Sequence, residues 1–199
     1  MHSPQDLPGR YGRVVKAIDR LLGIVGCEAV LAGGWAVWHH GFIARVTQDL
    51  DIVIPADRLD EFLKVAAVAG FDVFPAQAGR WPKLIHRETK VDIDVLPEGG
   101  RPGTVSRPAP TTIPHPSALG AARRQLQYPR LDSLIELKLA AGRLRDANDV
   151  VELLRANPDC VDDVRRHLAG VHADYVRAFD ALVLEAREMK DPEARPPSP

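Results

Sequence analysis

Cysteine is scarce in this chain of 199 residues: there are two, Cys27 and Cys160. Two distant cysteines lack metal-type spacing and form no disulfide framework, which fits a reducing, cytoplasmic setting. No run of about 18 apolar residues occurs, so no membrane span is expected. The opening "MHSPQDLPGR" has no basic region leading into an apolar run, so no secretory leader is expected. Excess charge is also lacking. The formal net charge is −1 and the sequence pI about 6.7, so no bulk positive field would gather nucleic acid. A local basic patch, or an anion held through a metal, stays compatible with that balance.

What is present is an ordinary globular composition. Hydrophobic residues make up 45% and charged residues 27%, enough to bury a core in one domain or two small ones. Val14, Val15, Ile18, Leu21, Leu22 and Val25 recur at helical spacing over 10–26. "EAVLAGG" reads as a short strand running into Gly33-Gly34, and "WAVWHHG" as a helical turn or two stopped at Gly41. A second strand follows over 49–54, closed by Pro55, and then an amphipathic helix closed by Gly70. "FDVF", "WPKLIHR" and "TKVDIDVL" read as further strands.

At Pro97 the composition shifts. "PEGGRPGTVSRPAPTTIPHPS" is too rich in proline and glycine to be regular, and beyond it the chain reads as helices only. The expected architecture is therefore α/β (α+β). A small mixed sheet of about four or five strands with helices spans 1–105, a helical subdomain spans 106–190, and a polar, Pro-rich flexible tail spans 191–199.

The chemistry is concentrated in "QDLDIVIP". Residues two apart on a strand share a face, roughly 6.5–7 Å apart along the chain, so Asp49 and Asp51 project together. Two carboxylates that close repel and are costly to bury unless a cation lies between them. Mg²⁺ suits such oxygen donors and completes its shell with water and substrate phosphate. A second pair, Asp92 and Asp94 in "VDIDVL", repeats the pattern. One of these beside Asp49 and Asp51 would complete the carboxylate set of a two-metal site for in-line phosphoryl displacement. The Gly33-Gly34 turn would let backbone N–H groups approach a phosphate.

These residues resemble the signature of the DNA polymerase beta-type nucleotidyltransferase superfamily. The finer pattern Gly33, Gly34, Ala36, His40, Gly41, Arg45, Thr47, Asp49, Asp51 is similar to the AbiEii-type small bacterial nucleotidyltransferases. "LIELKLAAGRLRDANDVVELL", with Lys138, Arg145, Asp146 and Asp149, resembles that group's helical segment. The resemblance implies transfer of a nucleoside monophosphate from an NTP to an acceptor hydroxyl, with release of pyrophosphate. It implies two Mg²⁺ ions on Asp49, Asp51 and a third carboxylate, Asp94, with Asp92 the alternative. Gly33, Gly34 and Lys138 would meet the nucleotide phosphates, with Asp146 lining the same cleft. Arg45 would meet a phosphate or the Asp pair, and Thr47 the substrate or the metal's surroundings. The acceptor does not carry over: tRNA, protein and a small molecule such as an antibiotic stay open. A toxin acting on tRNA or protein would have an antitoxin partner. A degenerate fold acting as a binding module is a further alternative.

Other residues read more plainly. Trp35 and Trp38 are expected to pack the short helix. His39 and His40 diverge by about 100° on a helix and cannot share one metal. Arg123, Arg124, Arg130 and Arg143 form a scattered basic set, expected mainly as a solvated face.

Overall fold

The computed structural model describes residues 3–77 and 80–189. The expected tail over 191–199 lies outside the described residues. Helix α1, Gly9–Val25, buries the predicted apolar stripe, and Gly26 ends it at φ 76°, its N–H donating to the Leu22 carbonyl. Strand β1, Ala29–Leu31, leads into the short helix α2, Gly33–His39. Strand β2, Leu50–Ile54, helix α3, Leu59–Val68, and strands β3, Phe71–Phe74, β4, Lys83–His86, and β5, Asp92–Pro97, complete the first part. Strand β6, Leu126–Gln127, precedes helices α4, Leu131–Ala141, α5, Leu144–Ala156, α6, Val161–Ala169, and α7, Ala173–Glu188.

The strands form one mixed sheet in the order β3-β4-β5-β2-β1-β6. β2 runs parallel to β5 and antiparallel to β1, and β1 runs parallel to β6. The expected α/β class with a helical C-terminal part is observed. The reading of helices only beyond Pro97 is corrected: Leu126 and Gln127 pair with Ala29 and Val30 and make a sixth strand. A two-residue strand carries no alternation that a sequence pattern could register.

The alternation of β2 and β5 sorts the core. Leu50, Ile52, Ile54, Ile93 and Val95 point to the face covered by α1 and α3, where Val14, Ile18, Leu22, Phe62 and Ala66 meet them. Val30, Ala32 and Val53 point to the opposite face and meet Ile113 of the Pro-rich stretch and Leu119 and Ala121 just after it, with Trp81, Leu96 and Leu137 alongside. A third apolar cluster joins Ala36 and Val37 of α2 to α4, α5, α6 and α7. The helical part is thereby fastened through α2, and the second sheet face is left partly open beside Asp51 and Asp94. Trp35 packs against Tyr11 at 4.7 Å between ring centroids and edge-on to Trp38, as a core residue. No helix among the described residues is long and apolar enough to cross a membrane.

Candidate active site

The register of β2 and β5 places Asp51 directly opposite Asp94. Parallel neighbours lie roughly 5 Å apart, so both carboxylates enter the same cavity. Asp49, just before β2, extends that row along the strand. The cavity has a volume of about 180 Å³ and brings together Gly33, Gly34, Arg45, Thr47, Asp49, Asp51, Asp94, Lys138 and Asp146. Asp92 does not line it. Its carboxylate accepts from Lys83 at 2.8 Å and faces an adjoining cavity.

The two glycines make room for this row. A Cβ on Gly33 would lie 1.7 Å from Asp51 Oδ2, and Gly33 holds φ +63°. A Cβ on Gly34 would lie 2.7 Å from the Thr47 Cβ. The turn therefore gives up side chains so that Asp51 and Thr47 can lie against its backbone. Thr47 in turn donates its hydroxyl to Asp49 Oδ1 at 2.7 Å and fixes that carboxylate.

The electrostatics follow from burial. Loss of solvent pushes the Asp51 carboxyl up to about 6, with Asp49 and Asp94 adding repulsion and Lys138 and Arg143 opposing it. Asp94 is also raised, first by burial, with Lys83 opposing and Asp49 and Asp92 reinforcing. The row is a cluster of like charges that the protein alone leaves under-neutralised.

The wall facing the row comes from α4 and α5. Lys138 is 5% exposed, and its ammonium donates to Asp149 Oδ2 at 2.6 Å and Asp146 Oδ1 at 3.2 Å. The side chain of Arg143 donates through Nε to Asp146 Oδ2 at 2.6 Å, and its backbone N–H also reaches that oxygen, capping α5. Burial pushes the Asp146 carboxyl up, but Arg143 and Lys138 together outweigh it and hold it below the usual carboxylate range. Arg45 Nε stands 2.9 Å from Asp149 Oδ1, close enough for an ion pair but off hydrogen-bond alignment. Thus Lys138 is already paired, while Arg143 and Arg145 remain exposed at the cavity mouth.

The fit of the residues to Mg²⁺ rests on donor chemistry. Carboxylate oxygens whose ionised forms are destabilised by burial and by one another match a hard divalent cation. Among the described residues no three histidine, cysteine, aspartate or glutamate side chains are arranged to hold a metal ion by themselves. Mg²⁺ requires none, since it binds one or two carboxylates together with waters and substrate phosphates.

Sequence reasoning missed the apolar half of the cavity: Trp81, Leu96, Pro102, Ile113 and Leu137. Pro102 and Ile113 belong to the Pro-rich stretch, which has no periodicity to betray an inward residue. Of the basic set, Arg143 lines the cavity, and Arg130 pairs with Asp132 at 3.2 Å. His40 Nε2 lies 2.9 Å from the Pro129 carbonyl and His39 stacks on Tyr128, both outside the cavity.

No protein-family model matches the chain, and no curated protein matches it. Among solved structures it is similar to the crystal structure of ANT(2")-Ia in complex with adenylyl-2"-tobramycin. That match has 16% identity and a TM-score of 0.48, covering 89% of this chain and 97% of the other. The solution structure of the antibiotic-resistance factor ANT(2'')-Ia matches with 16% identity and a TM-score of 0.43, covering 89% and 93%. An antigenic nucleotidyltransferase-like protein from Paracoccidioides brasiliensis matches with 14% identity and a TM-score of 0.43, covering 85% and 91%.

Proposed function

We propose that the cavity is the active site of a magnesium-dependent nucleotidyltransferase that moves a nucleoside monophosphate from an NTP to an acceptor hydroxyl. The observation that carries this reading is the register of Asp51 against Asp94, beside a glycine whose missing Cβ admits the Asp51 carboxylate. The convergence of Gly33, Gly34, Arg45, Thr47, Lys138 and Asp146 on the same cavity supports the AbiEii-type pattern.

The roles follow from position. The triphosphate lies between the Gly33-Gly34 turn and the α4–α5 wall. That wall presents Lys138, held by Asp146 and Asp149, and exposed Arg143 closes on the phosphates. The base and ribose rest on the apolar half near Leu137. The acceptor oxygen attacks the α-phosphorus. The bond from that phosphorus to the β-bridging oxygen breaks, and pyrophosphate leaves with the electron pair. Asp94, level with Asp51 across the strand pair, takes the hydroxyl proton. Mg²⁺ on Asp49, Asp51 and Asp94, two ions when fully loaded, would neutralise the triphosphate and the charge that develops on the transferred phosphoryl group.

The test is incubation with each α-labelled NTP and Mg²⁺, offering RNA, total protein or an aminoglycoside as acceptor. The wild type should transfer label. Asp49→Ala and Asp51→Ala should each lose at least about 100-fold in rate while keeping the wild-type circular dichroism. Unchanged transfer in either variant would overturn the assignment.

A further inference from the structure

The carboxylate row does not end inside the cleft. Beyond Asp49 it opens into a second cavity of about 540 Å³. Thr47, Asp49 and Arg145 line both spaces, so the two meet at the carboxylates. The second cavity also collects Arg10 from α1, Lys90 from the turn between β4 and β5, and Asp92. Three segments remote in the chain each bring one cation to the same place.

Those cations are poorly balanced by protein anions. Asp92 is matched by Lys83 at 2.8 Å, which leaves Asp49, accepting from the Thr47 hydroxyl, as the one carboxylate set against three cations. Lys90 and Arg145 enter no ion pair among the described residues. Arg10 donates to the Tyr11 hydroxyl at 3.1 Å and lies 5.1 Å from that ring's centroid. Two of the three also stand where the fold gains nothing from them. Arg10 and Arg145 occupy the first turns of α1 and α5, the positive ends of the helix dipoles, where acids rather than bases are stabilising. Lys90 holds φ 56°, the one residue other than glycine at positive φ among the described residues. Each placement turns positive charge toward a space that ends on the carboxylate row.

We infer that this second cavity receives the acceptor, and that the acceptor carries a phosphate beside the hydroxyl that is modified. Arg10, Lys90 and Arg145 hold the phosphate while the hydroxyl points along the row toward Asp94. The inference rests on the proposed function and names its second substrate. With Asp92 neutralised by Lys83, the lining carries three cations against the one carboxylate of Asp49, a balance that favours an anionic group over a polycation such as an aminoglycoside. The required chemistry has two sources, the 3′ end of an RNA strand and a small sugar phosphate or nucleotide.

The double variant Arg10→Glu/Lys90→Glu tests it. Both residues are exposed and lie outside the nucleotide cavity, so the fold and the NTP site are spared. Three measurements are made on wild type and variant: NTP affinity with a fluorescent NTP analogue, Mg²⁺-dependent label transfer, and anisotropy of a fluorescent single-stranded RNA oligonucleotide against salt. The acceptors are that oligonucleotide with a free 3′-hydroxyl, ribose 5-phosphate, a nucleoside 5′-monophosphate and an aminoglycoside. The wild type should label a phosphate-bearing acceptor and leave the aminoglycoside unlabelled. The double variant should lose at least about tenfold in kcat/KM for that acceptor, with NTP affinity within about twofold. Label on the oligonucleotide, with a salt slope of about −0.7 for each strand phosphate contacted, identifies a strand. Label on the small phosphates alone identifies that source. Label on the aminoglycoside, or unchanged acceptor kinetics in the double variant, overturns the inference. Failure of the wild type to bind NTP overturns the proposed function instead, and the acceptor assignment falls with it.

Discussion

Replacing Asp51 by Asn should make the metal-free protein more stable while abolishing its chemistry. Burial, with Asp49 and Asp94 alongside, pushes the Asp51 carboxyl up to about 6, against 3.8 in the unfolded chain, a difference of about two pH units. Each unit is worth about 1.4 kcal/mol, so ionised Asp51 costs the native state about 3 kcal/mol at pH 7.5. The sign follows from the direction of the shift. The folded carboxyl binds protons more tightly than the unfolded one, so this cost grows as pH rises from about 4 to about 6 and is constant above. Asn keeps the shape and removes the charge. Urea unfolding in EDTA should therefore show Asp51→Asn more stable than wild type by about 1–3 kcal/mol at pH 7.5, narrowing to about 1 kcal/mol or less at pH 4.5. Saturating Mg²⁺ and a non-hydrolysable NTP should stabilise the wild type more than the variant and reduce the gap. Equal or lower stability of Asp51→Asn at pH 7.5 in EDTA would refute the claim that the row is electrostatically unsatisfied.

Gly33→Ala meets both a positive φ and the Asp51 carboxylate, so it should destabilise by about 1–3 kcal/mol and cut label transfer at least tenfold. Gly70→Ala, at φ +97° with open space around its Cβ, is the control: it should share the backbone strain and keep the transfer rate. Equal transfer in the two variants would contradict the close approach. Lys138→Ala leaves Asp146 and Asp149 buried with one cation fewer and should cost about 3 kcal/mol in denaturant unfolding. Adding Asp149→Asn should recover part of that loss. A cost below about 1 kcal/mol would show that the ion cluster does not hold α4 to α5.

The legible parts of the fold were those with a strong period or a sharp stop. The α1 stripe from Val14 to Val25 is one such element, and β2 with Pro55 behind it is another. The alternation of β2 also announced that Asp49 and Asp51 leave the core face. The partner strand could not be chosen from spacing. Asp92 and Asp94 share a face, and only the register of Asp51 with Asp94, together with Lys83 beside Asp92, separates them. Strand β6 escaped because two residues carry no pattern, and Ile113 escaped because irregular chain buries residues without periodicity. Lys138 was singled out by the family resemblance, whereas its pairing with Asp146 and Asp149 depends on how α4 meets α5.

The central claim is that Asp51 and Asp94, from separate strands, share a divalent cation with an NTP. Anomalous diffraction from crystals grown with Mn²⁺ and a non-hydrolysable NTP measures this directly. The account predicts a manganese peak about 2.2 Å from oxygens of both residues, with the phosphates over Gly33 and Gly34. A bound nucleotide whose manganese touches neither Asp51 nor Asp94 would contradict it.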